Sequence, residues 1–148
     1  MAGERLTVTD IIDEVLGSAV PIRQSRPTVV AHTQGVYEAL FEGEVAFGRE
    51  RSAVIAARVA TLAGAPELAR HYSEIAGAER DSDATLDAAL DHAERLTTAP
   101  ATSTRAHIAA LAAAGLSEHD IVTLTQLVGY VNYQVRLLAG LTLLGGAA

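Results

Sequence analysis

The sequence contains no cysteine and no lysine; its 11 basic residues are all arginine, set against 18 acidic ones, for a net charge of −7 over 148 residues. Without cysteine there is no disulfide staple, no thiol nucleophile and no cysteine-ligated metal. Without a basic cluster there is no surface to neutralise nucleic-acid phosphates or an anionic membrane. Histidine-based metal spacing is missing too. No histidine has a glutamate three residues before it, as a di-iron bundle requires, and no two histidines stand three to five residues apart. Glycine-rich phosphate loops and a Gly-x-Ser-x-Gly elbow are absent. No metal or other cofactor is therefore expected. The opening MAGERLTVTDII has an early acid and no long apolar core, unlike a secretory signal, so a cytoplasmic protein is expected.

What the chain does contain is helical periodicity. Residues 117–144, SEHDIVTLTQLVGYVNYQVRLLAGLTLL, begin with Ser117 and Asp120 in a capping-box-like spacing. Leu124, Val128, Val131, Val135, Leu138 and Leu141 then recur at three- and four-residue steps, which makes one apolar stripe. Thr125, Gly129, Asn132, Arg136 and Gly140 run along a different face. A glycine inside a helix costs about 1 kcal/mol relative to alanine, so close packing by another helix is expected there. Gly145-Gly146 ends the helix. A membrane span needs about 20 mostly apolar residues, and Asn132, Gln134 and Arg136 interrupt this stretch. It reads as a central helix of a soluble protein or of its oligomer interface.

Upstream, Thr9-Asp10 caps a short helix over Ile11, Ile12, Val15 and Leu16, stopped by Gly17, and residues 18–27 read as a loop. Pro27 opens a helix through Phe41 that ends near Gly43, and residues 48–63 form a third. Gly64 breaks the chain and Pro66 starts a fourth helix, which implies a tight antiparallel pair. Ser82 or Asp83 caps a fifth helix, and Thr102 or Ser103 a short sixth closed by Gly115. No segment sustains period-two alternation. The expectation is an all-α protein, with an N-terminal helix and loop over residues 1–26 and one helical domain over 27–146.

The chemistry-bearing residues gather on the third, fourth and last helices. Glu67 and His71 are four apart and share a face, as a carboxylate-oriented imidazole beside Arg58, Tyr72 or Glu50, or as a solvated surface pair. Asn132 and Arg136, near Tyr130 and Tyr133, line a pocket for an anion or hold a neighbouring subunit; the mid-helix arginine needs an acid or a carbonyl, and a structural or interface ion pair is expected. His32 and His107 lie on mixed helices and read as hydrogen-bonded fillers, whereas His92 and His119 sit among charges and read as exposed.

Two stretches carry a family resemblance. Residues 87–141 include AERLT, AAGLSEHDI and YVNYQVRLLAGL, and residues 48–72 read GRERSAVIAARVATLAGAPELARHY. Together they resemble the alkylhydroperoxidase D-like and carboxymuconolactone decarboxylase-like superfamily, especially its peroxidase-related members. The resemblance implies an all-α bundle assembled as a homo-oligomer, a dimer, trimer or hexamer. In redox-active members, the glycine turn leads into Cys-x-x-Cys at a helix start, with a histidine four residues after the second cysteine and a relay glutamate on the preceding helix. A helix N-terminus lowers a thiol pKa, and the acid and imidazole move protons. Aligning His71 with that histidine places Gly64 and Glu67 at the cysteine positions and Ser52 at the relay. Aligning on Gly64 instead places Ala65 and Leu68 at the cysteines, Tyr72 at the histidine and Ala53 at the relay. Either register lacks both thiols, so the thiol–disulfide cycle is excluded.

Two functions follow from this departure. One is acid–base chemistry on, or binding of, a small carboxylate, lactone or carbonyl compound. His71, Glu67, Glu50 and Tyr72 are its candidate catalytic groups, and Arg58, Arg136 and Asn132 its candidate binding groups. The other is a non-catalytic oligomeric binding or scaffold protein, or the partner of a thiol-bearing paralogue in peroxide metabolism. The enzyme reading requires His71 or Tyr72, a glutamate and an arginine around one pocket.

Overall fold

Caps and helix breakers set the frame. In the computed structural model, which describes residues 10–18, 20–42, 47–77 and 82–145, the chain is all-α, with no strand among those residues. The helices are α1 Ile11–Leu16, α2 Pro27–Phe41, α3 Arg49–Leu62, α4 Pro66–Ala76, α5 Ala84–Thr98, α6 Arg105–Ala113 and α7 Glu118–Gly145. Asp10 caps α1 by accepting from the Asp13 N–H at 3.0 Å, while Thr9 lies outside the described residues. Asp83, rather than Ser82, caps α5 through the Leu86 N–H at 2.9 Å. At the start of α7 the capping box closes in both directions: Asp120 N–H donates to Ser117 Oγ at 3.1 Å, and Ser117 N–H to Asp120 Oδ2 at 2.8 Å. Pro27 and Pro66 sit in the first turns of α2 and α4, where a missing N–H is not felt.

The α3–α4 turn is the tightest junction. Gly64 takes φ +75°, a left-handed conformation. Its N–H donates to Thr61 O at 3.1 Å and that of Ala65 to Ala60 O at 2.9 Å, so orphan carbonyls of α3 are satisfied as the chain reverses. The reversed helix packs along α3 more extensively than any other pair in the molecule. Small side chains permit this approach: Ala53, Ala56 and Ala60 of α3 are wholly buried beside Ile55 and Val59.

Among the described helices, α7 is the one long and apolar enough, by length and composition, to cross a membrane. Its stripe instead faces the other helices: Leu124, Val128, Val131, Leu138 and Leu141 are buried and Val135 is half-buried. Fully burying side chains such as Leu124 or Ile55 contributes roughly 1.5–3 kcal/mol each. The second stripe departs from expectation. Gly129 and Gly140 have nothing within 4 Å of an added Cβ and Arg136 is exposed, so that part of the face is open, while α5 meets the stripe at Thr125 and Asn132.

Four further expectations are corrected. Residues 18–27 are not wholly loop, because Pro21–Ser25 winds into a 3-10 turn. A second such turn over Pro100–Thr102 moves the start of α6 forward. Its cap is therefore Thr104, not Thr102 or Ser103, and His107 Nδ1 accepts from the Thr104 N–H at 3.0 Å. His32 is exposed rather than a filler. His92 is buried, because it lies on the inward face of α5 with Ala89 and Ala93 despite its charged neighbours in sequence. Its Nε2 is 3.3 Å from Thr125 Oγ1, whose own proton goes to Ile121 O at 2.9 Å. Nε2 therefore carries the ring proton, and Nδ1 is left buried without a partner among the described residues.

A buried ion cluster pins α1 to the first 3-10 turn. Arg23 Nη1 donates to Asp10 Oδ1 at 2.7 Å and to Asp13 Oδ1 at 2.8 Å, and Nη2 pairs with Asp10 Oδ2. All three side chains are at most 6% exposed. Burial alone raises the Asp10 pKa, but the hydrogen bonds from Arg23 and the Asp13 backbone outweigh it and hold the carboxyl below its usual range. Removing one member leaves buried charge uncompensated. Arg23→Ala is expected to lower unfolding free energy by about 3–5 kcal/mol in urea titration; a loss within about 0.5 kcal/mol, as at an ordinary surface site, contradicts this account of the cluster.

Candidate functional site

The geometry begins with α4. Leu68, Tyr72 and Ala76 recur every four residues and face inward, while Glu67, Arg70 and Ser73 face out. Tyr72 is fully buried; its ring stacks on Phe41 of α2 at 4.9 Å, and its hydroxyl donates to Gln134 Oε1 of α7 at 2.5 Å. His71 lies at the flank of that face, half-buried, with its ring edge-on to Tyr72 at 5.1 Å. Its Nε2 is 3.2 Å from the Tyr37 hydroxyl of α2, in hydrogen-bond contact. Tyr130 of α7 donates to Thr33 O at 3.2 Å. The result is a polar and aromatic ladder from α2 through α4 to α7.

Burial keeps the ladder uncharged. It raises the pKa of Tyr37, of Tyr130 and, most strongly, of Tyr72. It lowers that of His71 despite Glu14 and Glu74, whose charges favour the imidazolium. Tyr37, Gln134 and Tyr130 were not among the sequence candidates. Gln134 did carry a signal, since an amide on the apolar stripe of α7 must find a partner.

The other candidates lie apart from this ladder. Glu67 makes no hydrogen bond or ion pair with His71 among the described residues; it is exposed, and His71 turns to Tyr37 instead, so neither the oriented dyad nor the solvated pair forms. Glu50 is exposed in the first turn of α3. Ser52 and Ala53, the two possible relay positions, are buried and carry no acid. Arg58 pairs with Glu94 at 2.8 Å in a groove of about 490 Å³ between α3, α4 and α5, which also holds Asp87 and Asp91. Arg136 donates to Asn132 O at 3.0 Å, the carbonyl of its two expected kinds of partner, with no ion pair among the described residues, and Asn132 Nδ2 donates to Thr97 Oγ1 and Val128 O. Among the described residues no three His, Asp or Glu side chains are grouped to hold a metal.

A second, larger cleft of about 690 Å³ opens at the α3–α4 turn. Its walls are Val15 and Leu16 of α1, residues 63–68, and Val135, Leu138, Ala139, Thr142 and Leu143 of α7. Gly64, Ala65, Glu67 and Leu68 all line it. These are the cysteine positions of both alignment registers. Among the described residues Glu67 is its one ionisable side chain, and His71 does not line it. The volume falls within the range usual for small-molecule sites, about 300–1,000 Å³.

No protein-family model and no curated protein sequence matches the chain. Its fold is similar to the crystal structure of an uncharacterized peroxidase-related protein from Silicibacter sp. TM1040. The TM-score is 0.64 with 19% identity, over 89% of this chain and 79% of that one. At that identity the likeness is one of fold.

His71 and His92 give the fold a pH dependence of defined sign. Both are held below the unfolded value of 6.5, with burial the largest cause. Below 6.5 the unfolded chain then binds more protons than the folded one, so stability is full above that pH and declines as pH falls towards the folded values. Melting temperature is expected to fall between pH 7.5 and about 5.5, and a His71→Gln, His92→Gln double variant to show a flatter profile. Equal slopes in the two proteins would contradict the assignment.

Proposed function

We propose that this chain is a cysteine-free protein of the alkylhydroperoxidase D-like and carboxymuconolactone decarboxylase-like kind that binds a small uncharged lactone or carbonyl compound at the α3–α4 turn. The observation that carries this reading is that every position where the resemblance puts a thiol lines one largely apolar cleft. Thiol chemistry there is replaced by shape and apolar contact. The acid–base version of the function loses support, because His71 is engaged with Tyr37 and Arg58 with Glu94. Any proton transfer within the cleft falls to Glu67. That same carboxylate disfavours an anionic ligand, which narrows the ligand class from carboxylates to neutral lactones and carbonyls.

Native mass spectrometry with a panel of lactones, ketones and matched carboxylates tests the reading. Neutral compounds should bind, carboxylates should bind at least about tenfold more weakly, and Ala139→Trp should abolish binding by filling an exposed edge of the cleft. Binding that survives Ala139→Trp removes the cleft from the account. Dithiol-dependent hydroperoxide turnover by the metal-free protein is expected to be nil; measured turnover would demand chemistry outside these residues.

A second reading, an oligomeric scaffold or the partner of a thiol-bearing paralogue, draws on the open face of α7. Val122, Tyr133, Leu143 and Leu144 are exposed there or nearby, Leu143 at 79%. In this reading the cytoplasmic protein is a homo-oligomer. Sedimentation equilibrium should give a closed oligomer at micromolar concentration, and a stable monomer would contradict it.

A further inference from the structure

Three clefts differ in the charge of their rims. Among the described residues the groove beside Arg58 carries three acids, and the cleft at the α3–α4 turn carries only Glu67. A third groove, of about 270 Å³, runs between the first 3-10 turn, α2 and the C-terminal half of α7, and among the described residues it is lined by two arginines and no acid. Its walls are apolar, with Ile22 57%, Val29 42% and Leu144 64% exposed along it. Two of its three hydroxyls are spent on the backbone, Ser25 Oγ donating to Ile22 O at 2.7 Å and Thr33 Oγ1 to Val29 O at 2.8 Å; the third is that of Tyr133. Arg23 is already neutralised by Asp10 and Asp13. Arg26, at the mouth, is exposed and has no side-chain partner among the described residues.

We propose that this groove binds a small amphipathic anion, a free medium-chain carboxylic acid, with its chain along Ile22, Val29 and Leu144 and its carboxylate on the Arg26 guanidinium. A guanidinium with no side-chain partner among the described residues, beside an open apolar groove, matches both parts of such a ligand, and its planar fork suits a carboxylate. The volume lies just under the usual lower limit of about 300 Å³ for drug-sized ligands, so it fits a slim chain rather than a fused ring system. The site is separate from the cleft at the α3–α4 turn and takes the opposite class of ligand, an anion where that cleft takes a neutral compound.

Isothermal titration with decanoate and with decanol, both below their aggregation thresholds, tests the assignment on the full chain. Decanoate should bind at least about tenfold more tightly than decanol, the value of a charge-assisted hydrogen bond. Arg26→Glu should weaken decanoate by at least that factor and leave decanol within about twofold. Val29→Gln should weaken both, and Ala139→Trp neither. Decanoate affinity unchanged in Arg26→Glu, or lost in Ala139→Trp, overturns the proposal. So does a wild-type protein that ignores decanoate while Val29→Gln dissociates a sedimenting dimer, which would give the groove to a second copy of the chain.

Discussion

A fully buried carboxamide needs a hydrogen-bond partner, and Gln134 of α7 takes its hydrogen bond from Tyr72 of α4. Its Nε2 has no hydrogen-bond partner among the described residues, though Tyr130 one turn away also feels the amide. The bond fixes the rotation of α4. With Tyr72 inward, Leu68 and Ala76 follow one turn to either side, His71 meets Tyr37 of α2, and Glu67 is carried outward to the turn cleft. Helix α4 spends its aromatic and imidazole groups on holding α2 and α7.

The functional consequence is electrostatic. Burial raises the three tyrosines and lowers His71, so the ladder is neutral at neutral pH and has no charge to offer a reacting group. Charge sits instead at the rims, and the rims differ: acidic beside Arg58, a single carboxylate at the α3–α4 turn, and an arginine mouth beside α2. Such a distribution favours selective binding over proton transfer. At the α3–α4 turn, Gly64, Ala65 and Leu68 present only backbone and apolar surface to the cleft.

Local features were legible in the sequence because their causes are local. Asp10, Asp83 and the Ser117–Asp120 box cap the helices they precede, Pro27 and Pro66 open theirs, and Gly64 turns the chain left-handed between α3 and α4. The apolar stripe of α7 faces inward as its spacing requires. Long-range partners were not legible. Nothing near Gln134 names Tyr72, which lies 62 residues away, and nothing near His71 names Tyr37. His92 shows where composition misleads: its neighbours Asp91, Glu94 and Arg95 suggest a wet face, while the three- and four-residue steps from Ala89 to His92 and Ala93 place it inside. Glycines at 129 and 140 suggested a tightly packed helix, yet no described residue lies against either of them.

The central claim is that His71 is a structural group, neutral and bound to Tyr37, rather than a general base serving the cleft. The most direct test is a pH titration of its imidazole by nitrogen NMR, with and without a saturating cleft ligand. The account predicts a pKa below 6.5, the unperturbed value, and resonances unmoved by the ligand. A pKa at or above 6.5, or a ring that shifts when the cleft fills, would contradict it.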